Sequence, residues 1–294
     1  MNFAQTLKTN PKTFKIRQHD PAFKGDLRRS TAERLQVQHL NELQNLQDRL
    51  FAEGKQAVLV IIQGMDAAGK DGIVKHVMSG LNPAGCQVSS FKLPSESERK
   101  HGYLYRVHSK TPEKGTIGIF NRSHYEEVLV VRVHPEILQT QFLTDAAIND
   151  SHIWKNRYKD INAFEEYLNS NGVRVVKFFL HLSHQEQGRR FLGRLEDKTK
   201  HWKFSKSDLA ERQYWNEYQK AFEEMIKRTS TRHAPWYIIP ADRKWFARAA
   251  VGGILVQTLR EMKPKYPRVS KSDTKQLKKL RKKLKHQINK EKPV

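Results

Sequence analysis

The residues with the clearest capacity for chemistry lie directly after an apolar run. Val58–Ile62 is followed by Gln63–Gly72, which reads QGMDAAGKDG. A Gly-x4-Gly-Lys spacing is typical of a phosphate-binding loop, in which glycines let backbone N–H groups converge on an anion while the lysine reaches the transferred phosphoryl group. We therefore predict that Gly69 and Lys70 contact phosphate.

Two carboxylates set this loop apart from the usual pattern. Asp71 stands where a Ser or Thr hydroxyl normally binds magnesium, and Asp66 lies inside the loop. Both would repel phosphate unless they hold a divalent ion, and carboxylate oxygens suit Mg²⁺. Alternatively, Asp66 accepts a proton from the incoming phosphate, and Asp71 only favours the first turn of a helix through the helix dipole.

A second polar group follows another predicted strand. Residues 115–127 read GTIGIFNRSHYEE, and the strand ends at Phe120. Open α/β sheets bind ligands just past the carboxyl ends of their strands, so Asn121, Arg122 and Glu126 are candidates. If a helix begins here, Arg122 and Glu126 lie about one turn apart on one face. The alternative is a helix cap with surface ions.

Two later features also suggest phosphate or nucleotide contacts. Arg189, Arg190 and Arg194 follow a strand that ends at Leu182, and their spacing keeps at least two guanidinium groups on one helix face. Guanidinium groups donate bidentate hydrogen bonds to phosphate oxygens, so this helix could close over a phosphoryl group. Alternatively, it is a solvated basic helix. Asp242 either approaches a nucleotide base or caps the last helix of the domain.

The elements that must position these residues alternate between helices and strands. Continuous apolar strands separated by helices predict a parallel sheet covered on both faces. The predicted strands are 58–62, 87–91, 116–120, 173–182 and 236–239, and the predicted helices are 31–54, 70–79, 151–169, 184–195, 208–228 and 244–262.

Composition excludes several classes of protein. A single cysteine, Cys86, rules out an internal disulfide and is typical of a reducing compartment, so we expect a cytoplasmic location. No apolar run is long enough to span a bilayer, and the first 24 residues lack the apolar centre of a secretory signal. The histidines show no spacing typical of a structural zinc site.

The net charge of +23 indicates a polyanionic partner. Residues 263–294 carry 13 Lys or Arg against two acidic residues, which leaves about +12 on the rest of the chain. Nucleic acid, an anionic membrane and a phosphate-rich substrate are the classes that such a charge would suit.

Four stretches, in order, resemble the polyphosphate kinase 2 family over about residues 15–267: GMDAAGKDG, GIFNRSHYEEVLVVRVHPE, FFLHLSHQEQGRRFLGRLEDKTKHWKFSKSDLAER and APWYIIPADRKWF. The combination NRSHYE is most similar to the subgroup that accepts both nucleoside mono- and diphosphates. The resemblance implies a thymidylate-kinase-like α/β fold, a three-layer sandwich with a parallel sheet, a P-loop and a helical lid. It also implies a dimer or tetramer and Mg²⁺, with Mn²⁺ as an alternative metal.

The resemblance assigns roles to matching positions. Asp66 and Glu126 correspond to the carboxylates of the metal and nucleotide-phosphate site, and Asn121 stands where many members have Asp. Nucleotide contacts are expected from Asp66, Gly69, Asp71, Asn121, Glu126 and Asp242. Polyphosphate contacts are expected from Lys70, Lys75, Lys92, Arg122, Arg189, Arg190, Arg194, Lys198, Lys203 and Arg212.

The function predicted from these observations is phosphoryl transfer from inorganic polyphosphate to AMP or ADP, giving ADP or ATP. Asp66, Lys70, Arg122 and Glu126 are the predicted catalytic residues. An ATP-dependent nucleoside monophosphate kinase of the same fold and a nucleic-acid-binding protein with a regulatory loop are the alternatives. We expect no membrane partner and no specific nucleic acid.

Three segments are predicted: a basic arm over 1–30, a kinase domain over 31–268 with its lid at about 184–212, and a basic tail over 269–294. In the tail, Leu277, Leu280, Leu284 and Ile288 recur at helical spacing, which predicts an amphipathic basic helix. This helix could pack on the domain or a second subunit, hold distal polyphosphate, touch acidic lipid or stay solvated.

Overall fold

The computed structural model describes residues 1–203 and 205–290. Its described part contains one sheet of five strands in the order β2-β3-β1-β4-β5, and every neighbouring pair is parallel. The predicted α/β class with a parallel sheet is therefore confirmed. The strands are β1 Ala57–Gln63, β2 Cys86–Ser90, β3 Ile117–Asn121, β4 Val173–His181 and β5 Trp236–Pro240.

Helices follow or precede every strand. The α-helices are α1 Phe3–Leu7, α2 Arg29–Glu53, α3 Lys70–Val77, α4 Glu96–Arg99, α5 Tyr105–His108, α6 Val130–Val133, α7 Asp145–Ile148, α8 Ile153–Ser170, α9 His184–Glu196, α10 Lys206–Glu211, α11 Trp215–Thr229, α12 Lys244–Met262 and α13 Lys271–Lys290. Short 3-10 helices lie at Ile16–Gln18, Pro83–Gly85, His124–Val128, Pro135–Thr140, Lys198–Lys203 and Arg212–Tyr214.

The central strand β1 shows why the strands are apolar throughout. Val58, Val60 and Ile62 pack into a core shared with α2, α3 and α12, whereas Leu59 and Ile61 pack into a second core shared with α8 and α11. A strand buried on both faces needs apolar side chains at odd and even positions alike. Because all five strands run the same way, their carboxyl ends and the polar loops beyond them meet at one edge of the sheet.

The N-terminal segment, predicted as a basic arm, packs against the sheet. It begins with α1, and Phe3 and Phe14 are buried in the two cores. The backbone N–H of Thr9 donates to the carbonyl of Trp236 at 3.1 Å, so the segment covers the outer edge of β5. Apolar side chains spaced among the basic ones make this docking favourable, and they protect an edge strand.

The helix predicted over 208–228 is divided into α10 and α11 by the 3-10 turn at residues 212–214. At this turn the Arg212 guanidinium donates to the carbonyl oxygen of His184 at 2.8 Å and to Oε1 of Gln187 at 3.0 Å. These contacts hold the turn against α9, and they are tertiary contacts that helical periodicity does not reveal. In the described part of the chain, no helix is long and apolar enough to cross a bilayer.

Candidate active site

The loop between β1 and α3 has the tight curvature that its glycines predict. Gly64 has a φ of +155°, and a Cβ there would lie 2.8 Å from the carbonyl oxygen of Leu180 on β4. Gly69 has a φ of +104° and directly precedes α3. The loop can therefore lie close to β4 only with glycine at its start, and its last glycine turns the chain into the helix.

Lys70 is held inside this loop. Its Nζ donates to the carbonyl oxygens of Gly64 at 2.7 Å and Met65 at 3.2 Å, and it lies 3.9 Å from Oδ1 of Asp66. Burial lowers the pKa of the Lys70 ammonium, while the nearby Asp66 carboxylate opposes that shift. The lysine is thus a desolvated cation next to the loop, where a phosphoryl group would meet it.

Arg122 completes a charged cluster around the loop aspartate. Its Nη2 donates to Oδ1 of Asp66 at 3.0 Å, and its backbone has a φ of +64°, which is uncommon for a residue with a side chain. Burial alone would lower the pKa of the guanidinium, but the carboxylates of Glu126 and Asp66 outweigh this effect and raise it. The sequence-predicted residues Asp66, Lys70 and Arg122 therefore lie together.

Glu126 lies in the 3-10 helix that follows β3, where Ser123 caps its first turn. The side chain is half-buried. Burial raises the pKa of its carboxyl group, although Arg122 and Lys70 act in the opposite direction. The group is therefore next to the cations of the cluster, but it does not line the open surface of the cleft described below.

Asn121 and Asp71 contact each other rather than acting separately. The Asn121 amide donates to Oδ1 of Asp71 at 2.7 Å, and both side chains border the cleft. Asp71 lies in the first turn of α3, where a carboxylate interacts favourably with the helix dipole. This position is compatible with both predicted roles of Asp71, as a metal ligand and as a residue that only favours the first turn of α3 through the helix dipole.

Arg190 on α9 is bonded to the phosphate loop itself. Its Nη1 donates to the carbonyl oxygens of Ala67 at 2.9 Å and Ala68 at 3.0 Å, and its Nη2 donates to that of Ala241 at 2.6 Å. Its Nε donates to Glu186 at 2.9 Å, and only 8% of the side chain is exposed. In this structure Arg190 joins α9, which is predicted to belong to a lid, to the loop, so its guanidinium is already occupied by protein acceptors.

The other lid arginines are more accessible. Arg189 is 64% exposed, with Glu186 at 3.6 Å, and Arg194 lies 3.4 Å from Asp208. Burial raises the pKa of the Asp208 carboxyl, and the neighbouring Asp66 carboxylate adds to the shift. The predicted lid therefore contributes cations and two carboxylates, Glu186 and Asp208, to the space above the phosphate loop.

These groups border a cleft of about 930 Å³ at the carboxyl edge of the sheet. Among the described residues, ten cationic and four acidic side chains line it, so it suits a strongly anionic ligand. The cationic residues are Lys70, Lys92, Arg122, Arg189, Arg190, Arg194, Lys200, Lys203, Lys244 and Arg248, and the acidic ones are Asp66, Asp71, Glu186 and Asp208.

Besides Glu126, four predicted contact residues lie outside this cleft. Lys75 is exposed on α3, five residues and about 140° around the helix from Lys70. Lys198 is exposed in the 3-10 turn after α9. Arg212 bonds to α9, as described above, and Oδ1 of Asp242 accepts from the backbone N–H of Ser183 at 2.8 Å. Asp242 therefore stabilises the start of α9 rather than capping α12.

The cleft is also lined by residues that the sequence analysis did not select, among them Lys200, Trp202, Lys244 and Arg248. Lys244 and Arg248 are four residues apart at the start of α12, directly beyond β5, so that spacing could have identified them. Burial lowers the pKa of the Lys244 ammonium, and the positive charges of Arg190 and Arg248 lower it further.

The donor set around the loop fits a metal only in part. The described residues contain no group of three His, Cys, Asp or Glu side chains placed to hold an ion by themselves. Magnesium in phosphoryl-transfer sites is typically held by one or two carboxylates, with water and substrate phosphates as its other ligands. Asp66 borders the cleft, and Glu126 is next to the same cations without lining it, so these residues fit an ion that substrate helps to bind.

Comparisons with known proteins agree with this geometry. The profile of the family described as polyphosphate kinase 2 matches residues 26–267. The chain belongs to the polyphosphate kinase 2 family. It is 48% identical to an ADP-polyphosphate phosphotransferase of Rhodopseudomonas palustris over 251 residues, covering 85% of this chain and 86% of the relative.

Two further proteins are similar to the chain over most of their length. An AMP/ADP-polyphosphate phosphotransferase of Meiothermus ruber is 43% identical over 258 residues, covering 86% of this chain and 91% of the relative. The crystal structure of polyphosphate kinase 2 from Arthrobacter aurescens superposes with a TM-score of 0.84 at 36% identity, covering 94% of this chain and 96% of that one. Both the predicted family and the predicted P-loop kinase fold are confirmed.

Proposed function

We propose that this protein transfers a phosphoryl group between inorganic polyphosphate and a nucleotide, making ADP from AMP and ATP from ADP. The observation that carries the proposal is the excess of cations around a cleft that opens on the phosphate loop. Inorganic polyphosphate carries about one charge per phosphate, and such a polymer binds by neutralisation and counterion release, as a nucleic-acid backbone does. The relatives named as polyphosphate phosphotransferases support the same conclusion.

The residues around the loop have complementary roles in this proposal. Lys70 and Arg122 neutralise the charge that spreads over the phosphoryl oxygens in the transition state, and loop N–H groups orient the phosphate. Asp66 and Glu126 would hold a divalent metal, Mg²⁺ or alternatively Mn²⁺, which neutralises phosphate charge and aligns donor with acceptor. Arg122 already contacts Asp66, so the cation and the carboxylate are positioned before substrate enters.

The polymer would follow the lid side of the cleft. Arg189, Arg194 and Lys203 border it on that side, and Lys92, two residues beyond β2, also lines it. Lys244 and Arg248 extend the same cationic surface across the start of α12. Of the remaining residues predicted to bind polyphosphate, Lys198 and Arg212 would need a different lid position to take part, and Lys75 on α3 would contact only a polymer that extends beyond the cleft.

A comparison of phosphoryl donors tests the proposal against an ATP-dependent nucleoside monophosphate kinase. Purified protein is incubated with Mg²⁺ and three substrate pairs: polyphosphate with ADP, polyphosphate with AMP, and ATP with AMP. We expect ATP from the first pair and ADP from the second, at rates well above the ADP formed in the third. Turnover only with ATP as donor would contradict the proposal.

The finer expectations remain predictions. The preference for AMP or ADP, the identity of the metal, a dimer or tetramer and a cytoplasmic location are each proposed on the resemblance and the composition. The segment boundaries at residues 30 and 268 are proposed as well, although the N-terminal segment packs on the domain.

A further inference from the structure

The last helix of the chain has an apolar stripe that the structure leaves in water. α13 follows eight residues without regular structure, and each of its described side chains, at residues 272–290, is exposed. Leu277, Leu280, Leu284 and Ile288 are each more than half exposed. At 100° per residue these four side chains lie within about 80° of one another around the helix, so they form one continuous stripe.

The rest of the helix surface is basic. Between residues 271 and 290 the sequence contains nine Lys or Arg and one acidic residue, Asp273. Arg281 and Lys285 flank the stripe on one side, and the face opposite the stripe is also rich in lysine. A partner that binds both the apolar stripe and the basic faces of the helix must bury apolar side chains and also carry negative charge.

Three candidate partners can be compared on this basis: polyphosphate, a second copy of α13 and an anionic bilayer. A polyphosphate chain would neutralise the cations but leave four apolar side chains in water. A second copy of α13 could cover the stripe, but it would bring a net charge of about +8 against another of the same sign. An anionic bilayer surface buries the stripe at the level of the headgroups and neutralises the flanking cations.

We propose that α13 is a peripheral binding site for anionic lipid bilayers, with the stripe Leu277–Ile288 inserted parallel to the surface. The sequence alone predicts no membrane partner, and the exposed stripe is the observation that changes this expectation. The helix lies beyond residue 267, where the match to the kinase family ends, so this activity is separate from phosphoryl transfer. It would bring the kinase domain to a negatively charged membrane.

Vesicle co-sedimentation of the full chain tests the proposal. Phosphatidylcholine vesicles with 30 mol% phosphatidylglycerol should sediment the protein at low salt, and pure phosphatidylcholine vesicles should not. Replacing two stripe residues, Leu280→Ser with Leu284→Ser, should lower the partition coefficient at least about a hundredfold, about tenfold for each buried leucine lost. The matched control, Gln276→Ser with His286→Ser, changes two residues off the stripe and should retain binding within about threefold.

The electrostatic half of the proposal has its own test. Removing the two cations that flank the stripe, Arg281→Gln with Lys285→Gln, should lower the affinity for anionic vesicles by about thirtyfold, and high salt should also weaken binding by the unmodified chain. ATP formation by each variant and circular dichroism show that the chain is still folded.

Three results would overturn the proposal. The first is equal binding to neutral and anionic vesicles, and the second is full binding by the Leu280→Ser, Leu284→Ser variant. The third is an unmodified chain that does not bind anionic vesicles at all. If the Leu280→Ser, Leu284→Ser variant then also loses a dimer or polyphosphate binding, the stripe belongs to a second copy or to the polymer. Because the kinase assay is run separately, failure here leaves the proposed catalytic function untouched.

Discussion

A buried ion pair beneath the β3 loop gives the sharpest prediction about stability. Lys177 on β4 and Glu165 on α8 are both fully buried, with 2.5 Å between Nζ and Oε2. The other two Lys177 donors reach the Tyr125 hydroxyl at 2.9 Å and the Thr229 carbonyl at 2.7 Å. Since Tyr125 directly precedes Glu126, this network also fixes the segment that carries the predicted catalytic carboxylate.

Removing one partner of this ion pair should lower the free energy of unfolding by far more than the intact pair contributes to it. Lys177→Met leaves the Glu165 carboxylate buried without its cation, a situation that costs about 3–5 kcal/mol. For a domain of this size about 1 kcal/mol lowers Tm by about 2–4 °C, so we expect a drop of about 6–20 °C. Combining Lys177→Met with Glu165→Gln removes both charges and should recover at least half of the loss.

Urea unfolding followed by circular dichroism measures these differences. Lys159→Met, at an exposed position on the same helix as Glu165, is the matched control and should change the free energy of unfolding by less than about 0.5 kcal/mol. A Lys177→Met variant within about 1 kcal/mol of the unmodified protein, or strictly additive effects in the double variant, would refute the reasoning.

The same pair predicts a dependence of stability on pH. Burial alone would raise the pKa of Glu165, but the Lys177 ammonium and His124 outweigh it and hold the pKa below the ordinary 4.5. A carboxyl group with a lowered folded-state pKa stabilises the fold above pH 4.5 and loses that contribution as the pH falls towards the folded-state pKa. The stability advantage of the unmodified protein over Glu165→Gln should therefore shrink on acidification below pH 4.5.

Three further predictions concern the site. Asp66→Asn should reduce phosphoryl transfer at least about a hundredfold. It should change the free energy of unfolding by less than about 1 kcal/mol, because the side chain is 27% exposed and its ion pairs are partly solvated. Activity within tenfold of normal would contradict the catalytic role of Asp66. Burial raises the pKa of Glu126, so the acid limb of kcat/KM against pH should have its midpoint above 4.5, and a midpoint at or below 4.5 would contradict the assignment. Arg190→Lys should lower kcat with either polyphosphate or ATP as the phosphoryl donor, because it loosens the loop. Arg189→Lys should instead raise only the KM for polyphosphate. Steady-state kinetics in which Arg190→Lys changes only that KM and Arg189→Lys lowers kcat would reject these roles.

Much of the architecture was predictable because its signals are local. The apolar runs of β1 and β4 mark strands buried on both faces, and Gly54 ends α2 with a φ of +62°, as expected of a C-terminal glycine. The phosphate loop was predictable for the same reason, since its glycines and Lys70 are adjacent in sequence. The cluster of Asp66 and Arg122 followed from a simple rule, that parallel strands end at one edge.

The remaining features depend on contacts between distant segments. The N-terminal segment looks polar, yet Phe3 and Phe14 dock it on the sheet. The sequence indicates that Arg190 is a lid cation, but the carbonyl oxygens that accept from its Nη1 and Nη2 are 51 to 123 residues away in sequence, and no periodicity reveals such contacts. Lys244 and Arg248 lie in the first turns of a largely apolar helix; their spacing directly beyond β5 is a usable signal, but their position at the cleft is a feature of the fold.

The central claim is that the cleft passes a phosphoryl group from polyphosphate to a nucleotide, and label transfer tests it most directly. Purified protein is incubated with ³²P-labelled polyphosphate, unlabelled ADP and Mg²⁺, and the products are separated. We expect label in the γ-phosphate of ATP, with less than about a hundredth of that rate in Asp66→Asn. Label that appears only as free phosphate, or ATP that forms without label, would contradict the claim.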